Sequence, residues 1–247
     1  MFAPRVALAS LSGRADAEWA EYGAEYAGAA FLGGIALDEN SREAARSLVN
    51  RDREEFLPDD PLAFVERELQ ALEDVPIRPG WNVRTTTLDP LQSAAQVCAR
   101  HDALLEINAH CRQDELCAVG CGESLLADTD RLAEYVGCAA ATGATVGVKM
   151  RTEVEGVNLV GTAEVIEDAG ASFVHVDAMD SEPMVDEITD ATELFVIANN
   201  EVRDRASVQE YLSYGADAVS VGRPSNEPAV LRRVREAADE WFGQYSV

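Results

Sequence analysis

Thr145-Val-Gly-Val-Lys-Met-Arg151, a helical pattern over residues 163–169, Gly170, then Phe173-Val-His-Val-Asp177: this stretch decides the fold. Two short apolar runs flank one helix. A crossover of that length returns the chain to the same end of the sheet, so the two strands pair in parallel. Gly170 stands just past the helix, where a left-handed residue ends it at low steric cost. The same unit recurs in both directions. Strands are expected at 5–10, 28–35, 81–86, 104–109, 145–151, 173–177, 194–199 and 218–222. Helical patterns lie at 15–26, 61–73, 88–99, 125–141, 163–169, 207–214 and 228–241. Eight such units predict an α/β chain forming one domain over 1–247, a (β/α)8 TIM barrel. A doubly wound open sheet is the alternative. Residues 38–76, between the second and third strands, are rich in Glu, Arg and Asp and contain Leu57-Pro-Asp-Asp-Pro61. They read as a helical excursion on the surface.

Composition narrows the function classes. The chain has 45 acidic and 20 basic residues, a net charge of −25, and one lysine, Lys149. Acidic excess with scarce lysine suggests a halophilic, high-salt setting. It does not suggest disorder, because 47% of residues are apolar and fall in regular runs. In molar salt the Debye length is about 3 Å, so an anionic ligand is not excluded. A nucleic acid held by charge alone is disfavoured, since that attraction also fades with salt. Five cysteines, an odd number, fit a reducing compartment better than a disulfide framework. No signal peptide, membrane span or lipidation motif is read, so the expected location is cytoplasmic. A homo-oligomer stays open.

In such a barrel the active site lies at the C-terminal ends of the strands. That rule selects Ser10, Arg84, Asn108-Ala-His-Cys111, Lys149 and Arg151, His175 and Asp177, Asn199-Asn200-Glu201, and Gly222-Arg223. Lys149 ends an apolar run, and a buried cation needs a partner. The loops after strands seven and eight offer small polar residues and Arg223, a usual phosphate site. His101 falls at a helix end and reads as structural. The fourth loop gathers His110, Cys111, Cys117 and Cys121. Four soft ligands could hold zinc or an iron–sulfur cluster, but the spacing lacks a C-x-x-C pair and no metal is expected. Cys117 and Cys121 read as small buried hydrophobes. Cys111 follows a strand end, where a thiol can serve as nucleophile or general acid.

These residues, in this order, resemble the dihydrouridine synthase family, flavin-dependent enzymes that reduce uracil in tRNA. The family's Asn-x-Gly-Cys-Pro, Gly-rich turn and Leu-Leu match Asn108-Ala-His-Cys111-Arg112, Gly120-Cys-Gly122 and Leu125-Leu126. Its Val-Lys-x-Arg matches Val148-Lys149-Met150-Arg151, and its strand-six histidine is matched to His175. Its Gly-Asn-Gly-Asp turn matches Ala198-Asn199-Asn200-Glu201, and its Gly-Ala-Asp…Gly-Arg matches Gly215-Ala-Asp217 and Gly222-Arg223. The resemblance implies FMN as cofactor, with NADPH or NADH as electron donor. It implies Lys149 and His175 at the flavin ring, Arg84 where the family has a glutamine at the flavin edge, and Ser10 on the same rim. Asn199, Asn200, Gly222 and Arg223 would hold the phosphate, and Asn108 and Arg151 would orient the substrate. Cys111 would give a proton to one carbon of the substrate double bond while flavin delivers hydride to the next. A thiol with an ordinary pKa of about 8.5 is protonated at neutral pH and suits that task.

The departures are His110 for glycine, Arg112 for proline, Asn200 for a turn glycine, and Asp177 where an arginine often follows the histidine. The sequence ends at Val247, just after the last barrel helix, and the family's helical RNA-binding domain is not expected. Extruding a base from folded tRNA requires a grip on the RNA. The expectation is therefore a divergent, archaeal-type branch, related also to dihydroorotate dehydrogenase barrels, acting on tRNA or a small pyrimidine. The rival readings are a flavin-free phosphate-binding isomerase or lyase, and a non-catalytic barrel.

Overall fold

The structure, a computed structural model, describes residues 1–244; residues 245–247, at the end of the expected 1–247 span, lie outside the described residues. The strands are β1 (Val6–Leu8), β2 (Ala29–Ala36), β3 (Arg78–Arg84), β4 (Leu104–Asn108), β5 (Thr145–Arg151), β6 (Phe173–Asp177), β7 (Phe195–Asn199) and β8 (Ala218–Val221). They form a closed ring in chain order, with β1 paired in parallel to both β2 and β8. The fold is a (β/α)8 TIM barrel, and the open sheet is ruled out by that closure.

The helices are α1 (Ala17–Gly23), α2 (Glu39–Val49), α3 (Pro61–Gln70), α4 (Leu88–Arg100), α5 (Asp114–Ala118), α6 (Glu123–Leu126), α7 (Thr129–Ala140), α8 (Leu159–Asp168), α9 (Met184–Ala191), α10 (Arg205–Ser213) and α11 (Pro228–Gln244). A 3₁₀ turn, Arg223–Asn226, precedes α11. Part of the acidic excess starts these helices. Asp16, Asp38, Asp60, Asp128 and Asp204 cap α1, α2, α3, α7 and α10, each accepting from a backbone N–H of the first turn. Such a cap stabilises a helix by about 1 kcal/mol, and its charge suits the positive end of the dipole. The pattern over 125–141 is two helices, because Asp128 starts α7 afresh. No helix among the described residues is long and apolar enough to cross a membrane.

The excursion is helical, as expected, and it is tied to the barrel wall. Phe56 bridges Ile35 of β2, stacks on Phe64 at 5.3 Å, and Phe64 meets Trp81 of β3 at 5.8 Å. Most apolar burial lies between the strands and the helix ring.

The barrel interior is layered. Alternation in each strand sends every second residue inward. At the N-terminal end, Phe2, Ala7, Phe31, Leu104, Phe173 and Ile197 form an apolar plug, with Phe31 and Phe173 at 5.6 Å. The next inward layer is polar: Asn82, Glu106, His175 and Ser220 are all fully buried. Above it, at the C-terminal mouth, stand Asn108, Lys149, Arg151, Asp177 and Asn199.

Candidate active site

The mouth opens into two adjoining cavities of about 770 and 650 Å³. They share Ser10, Leu11, His110, Asp177, Asn200 and Arg223, so they form one cleft. Each is within the size range of small-ligand sites. Cys111, Asn108 and Arg151 line the first cavity; Lys149, Asn199 and Gly222 line the second.

Lys149 is 3% exposed and makes no hydrogen bond or ion pair to any described residue. In register it lies between Asn108 of β4 and His175 of β6. Glu106, one layer below, supplies its countercharge. Burial pushes the Glu106 carboxyl up, but His175, Lys149 and Asn82 outweigh burial and hold it below the usual carboxylate range.

Glu106 is the sink of a buried hydrogen-bonded belt. Asn108 donates Nδ2–H to Asn82 Oδ1 at 2.8 Å, and Asn82 donates to Glu106 Oε1 at 2.6 Å. From the other side, Asn199 donates to Ser220 Oγ at 2.7 Å. Ser220 Oγ stands 2.7 Å from His175 Nε2, and His175 Nδ1 stands 2.6 Å from Glu106 Oε2. Ser220 already accepts from Asn199, so its own proton goes to Nε2, and His175 donates Nδ1–H to Glu106. Burial and the Lys149 charge, opposed by Glu106, hold His175 below its ordinary value, so the ring is neutral in the folded state. One anion, one cation and a neutral ring leave the belt balanced, with each donor directed toward Glu106. Fully satisfied buried networks of this kind fix side-chain positions. Here the belt fixes both ends of the mouth, because the Asn108 Oδ1 accepts the backbone N–H of Cys111 at 3.2 Å.

Two sequence expectations change. His175 was placed beside the flavin ring. It is fully buried, packed 5.3 Å from Phe31, with both ring nitrogens engaged. Residues 173, 175 and 177 share one face of β6, and the mouth position on that face is Asp177. Arg84 was placed at the flavin edge. Its side chain is 1% exposed and pairs with Glu55, 4% exposed, at 2.8 Å. The same Nη2 donates to Ser12 Oγ at 2.6 Å and to Gly34 O at 3.0 Å. A side chain at Gly34 would collide with that guanidinium, 2.7 Å from an added Cβ. Arg84 therefore fastens the excursion and the loop after β1 to the mouth. The pair predicts a coupling of about 0.5–3 kcal/mol in a double-mutant cycle of Arg84→Met and Glu55→Leu, measured by denaturant unfolding. Additive single effects would refute the fastening.

The fourth loop is ordered by its own backbone. The Cys111 carbonyl accepts from Glu123 N at 2.9 Å and from Cys117 Sγ at 3.5 Å. Gly122, with φ +64°, packs against that carbonyl so closely that no Cβ fits. Cys121 is buried beside Ala44, Leu48 and Leu116, and burial pushes its thiol up to about 12. No group of three or more metal-ligating side chains is arranged to hold an ion among the described residues. His110 lies where the two cavities meet; its Nδ1 is buried without a partner. Burial first, then the charges of Lys149, Arg84 and Arg151, hold it well below its ordinary value. His101 pairs with Glu66 and Glu73 on the outside of the barrel.

At the β7–β8 end, Asn200 and Glu201 have φ of 112° and 51°. The backbone N–H groups of Asn200, Glu201 and Arg223 donate to no described residue. Successive free N–H groups in such a turn make an anion-binding nest. A Cβ added at Gly222 would meet nothing within 4 Å, so the backbone there lies open to the cavity. The unpartnered Lys149, the nest and this open backbone fit a flat, phosphorylated cofactor laid across the mouth. Glu106, Asn82 and Ser220 escaped the sequence reading. The available signal was Glu106, a lone charge within Leu104-Leu-Glu-Ile-Asn108.

Comparison with known proteins agrees in fold and gives a family. The sequence model of the dihydrouridine synthase family matches residues 85–244. An uncharacterized protein of Methanocaldococcus jannaschii is 26% identical over 241 residues, covering 89% of this chain and 88% of its own. Among solved structures, the tryptophan synthase complex of Pyrococcus furiosus aligns with a TM-score of 0.58 at 15% identity, over 98% of this chain and 100% of that one. Thiamine phosphate pyrophosphorylase of the same organism gives 0.55 at 11% identity, over 96% of each chain. A FabK variant of Thermotoga maritima gives 0.59 at 13% identity, over 90% of this chain and 62% of that one. At such identities these structures speak for the barrel alone.

Proposed function

The chain belongs to the dihydrouridine synthase family, and on that premise we propose that it is an FMN-dependent oxidoreductase that reduces, or oxidises, the C=C bond of a pyrimidine-like substrate. The observation that carries this reading is Lys149, a buried ammonium with no protein partner, opening into a cleft beside Cys111. Bound FMN, recharged by NADPH or NADH, supplies the hydride that one carbon of the double bond receives. Lys149 would hold an edge of the flavin ring as its cation, and Glu106 beneath it keeps that ammonium from being an isolated buried charge. Cys111 gives its proton to the neighbouring carbon and regains one from water. Asn108 and Arg151 orient the substrate. The nest at Asn200, Glu201 and Arg223 would take the cofactor phosphate.

Purification in high salt should yield a yellow protein absorbing at about 450 nm. The released cofactor should have the mass of FMN, and Lys149→Met should lower its retention without unfolding the barrel. A colourless protein that takes up no added FMN would refute the proposal and favour a flavin-free phosphate-binding barrel.

A further inference from the structure

We infer that the substrate is a compact anion: a pyrimidine carrying a phosphate or a carboxylate, held at the Cys111 side of the mouth by Arg53, Arg112 and Arg151. The pyrimidine ring rests on the flavin reading; the anionic group rests on charge.

The chain carries 45 acidic residues against 20 basic ones. Its mouth reverses that balance. Lys149 and seven arginines line the cleft, facing Asp52, Glu54, Asp177, Glu201 and Glu227. The cations divide into two sets. Arg203 and Arg233 belong to the β7–β8 end, where the nest is. Arg14, Arg53, Arg112 and Arg151 belong to the Cys111 end, and Arg223 borders both. One set suffices for a cofactor phosphate, so the second needs a ligand of its own.

Within that second set Glu54 pairs with Arg14 alone, and the other three stay available to a ligand. Arg53 and Arg112 form no ion pair among the described residues. Arg151 is 8% exposed, reaches Glu123 only at 3.3 Å, and has a buried Nε without a partner. An unpaired buried guanidinium N–H is costly, and a ligand oxygen relieves that cost. Arg112 occupies the position where the resembled motif has proline, so this charge belongs to the present chain.

The same arrangement disfavours a polyanion. On the rim beside β6 and β7 stand Asp180, Glu182, Asp204 and Glu210, with Arg203 as the cation among them. A chain of phosphates laid across the mouth would meet that rim, whereas a small anion enclosed in the cleft would not.

The test is calorimetric titration of FMN-reconstituted protein in high salt with uridine 5′-monophosphate, orotate, uridine, uracil and a uridine-containing tRNA transcript. At least one of the two small anions should bind about tenfold or more tighter than both neutral probes, the scale of one charge-assisted contact. Which anion does so separates phosphate from carboxylate. Arg112→Ala and Arg53→Ala should each erode that preference without loss of FMN or thermal stability, whereas Arg223→Ala should lower FMN retention instead. Equal binding of neutral probes, tighter binding of tRNA, binding of none, or loss of the preference in Arg223→Ala alone would overturn the inference. If FMN does not load but the apoprotein still prefers the anion through Arg112, the flavin reading falls and the anion subsite stands.

Discussion

Glu106→Gln should lower the melting temperature by about 6–20 °C. The figure comes from the cost of leaving a buried charge uncompensated, here Lys149 without Glu106, about 3–5 kcal/mol, and from the sensitivity of a chain this size, about 2–4 °C per kcal/mol. The reason is directional. Asn82 and His175 both donate to the Glu106 carboxylate, one to each oxygen. A glutamine has one acceptor and one donor, so one of those contacts becomes donor against donor. Lys149 also loses its buried countercharge. Acid should act on the same belt. Burial and neighbouring cations hold His110 and His175 below their ordinary value. The unfolded chain therefore takes up protons first, and stability falls as pH drops below about 6.5. Glu106 and Asp38 are held low as well. Their contribution is present above the ordinary carboxylate range, near pH 4, and is lost as pH falls through the folded values. Melting curves from pH 8 to pH 2 should show both phases, with the acidic one reduced in Glu106→Gln. A variant as stable as the parent would mean that the belt is not the sink described.

The barrel was legible because local signals repeat. Residues 145–151 and 173–177 are strands with the bounds expected from period and composition. The third strand begins earlier than expected, at Arg78, because Pro79-Gly80 reads locally as a turn. In the barrel these two residues pair with Ala30 and Phe31, and a Cβ at Gly80 would collide with the Phe31 ring. Tertiary packing, absent from any local window, decides that strand. The site was legible as a rim and not as a depth. The strand-end rule finds Lys149, Asn199 and Cys111, but alternation places residues 173, 175 and 177 on one face without saying which reaches the mouth. His175 was thus set one layer too high. Arg84 shows the second limit. Its partner Glu55 comes from the excursion, and no spacing rule links residues brought together only by folding. Glu106 was within reach, since strand alternation aligns it with Leu104 and Asn108 on the inward face.

Cys111→Ser should lower turnover by about 10²–10⁴-fold, the usual contribution of a positioned proton donor. FMN content and melting temperature should be unchanged, since Cys111 is half-buried and its fixed contacts are made by its backbone. Serine keeps the shape and those contacts but is a far weaker acid than a thiol. None of Cys98, Cys117, Cys121 and Cys138 lines the cleft, and burial pushes Cys98 and Cys121 up to about 12. His110 is the nearest rival, since it lies on the cleft wall beside Cys111. Burial and neighbouring cations hold it well below its ordinary value, so it is a neutral imidazole at neutral pH. Paired variants separate the two donors: with Cys111 as acid, Cys111→Ser should lose turnover and His110→Ala should keep it. Rapid-mixing reduction of the flavin by NADPH should be equal in both proteins, because it precedes the proton transfer; slowing of that half-reaction would place Cys111 at the cofactor. Full turnover in Cys111→Ser, with loss in His110→Ala, would move the proton to the imidazole and leave the thiol as packing.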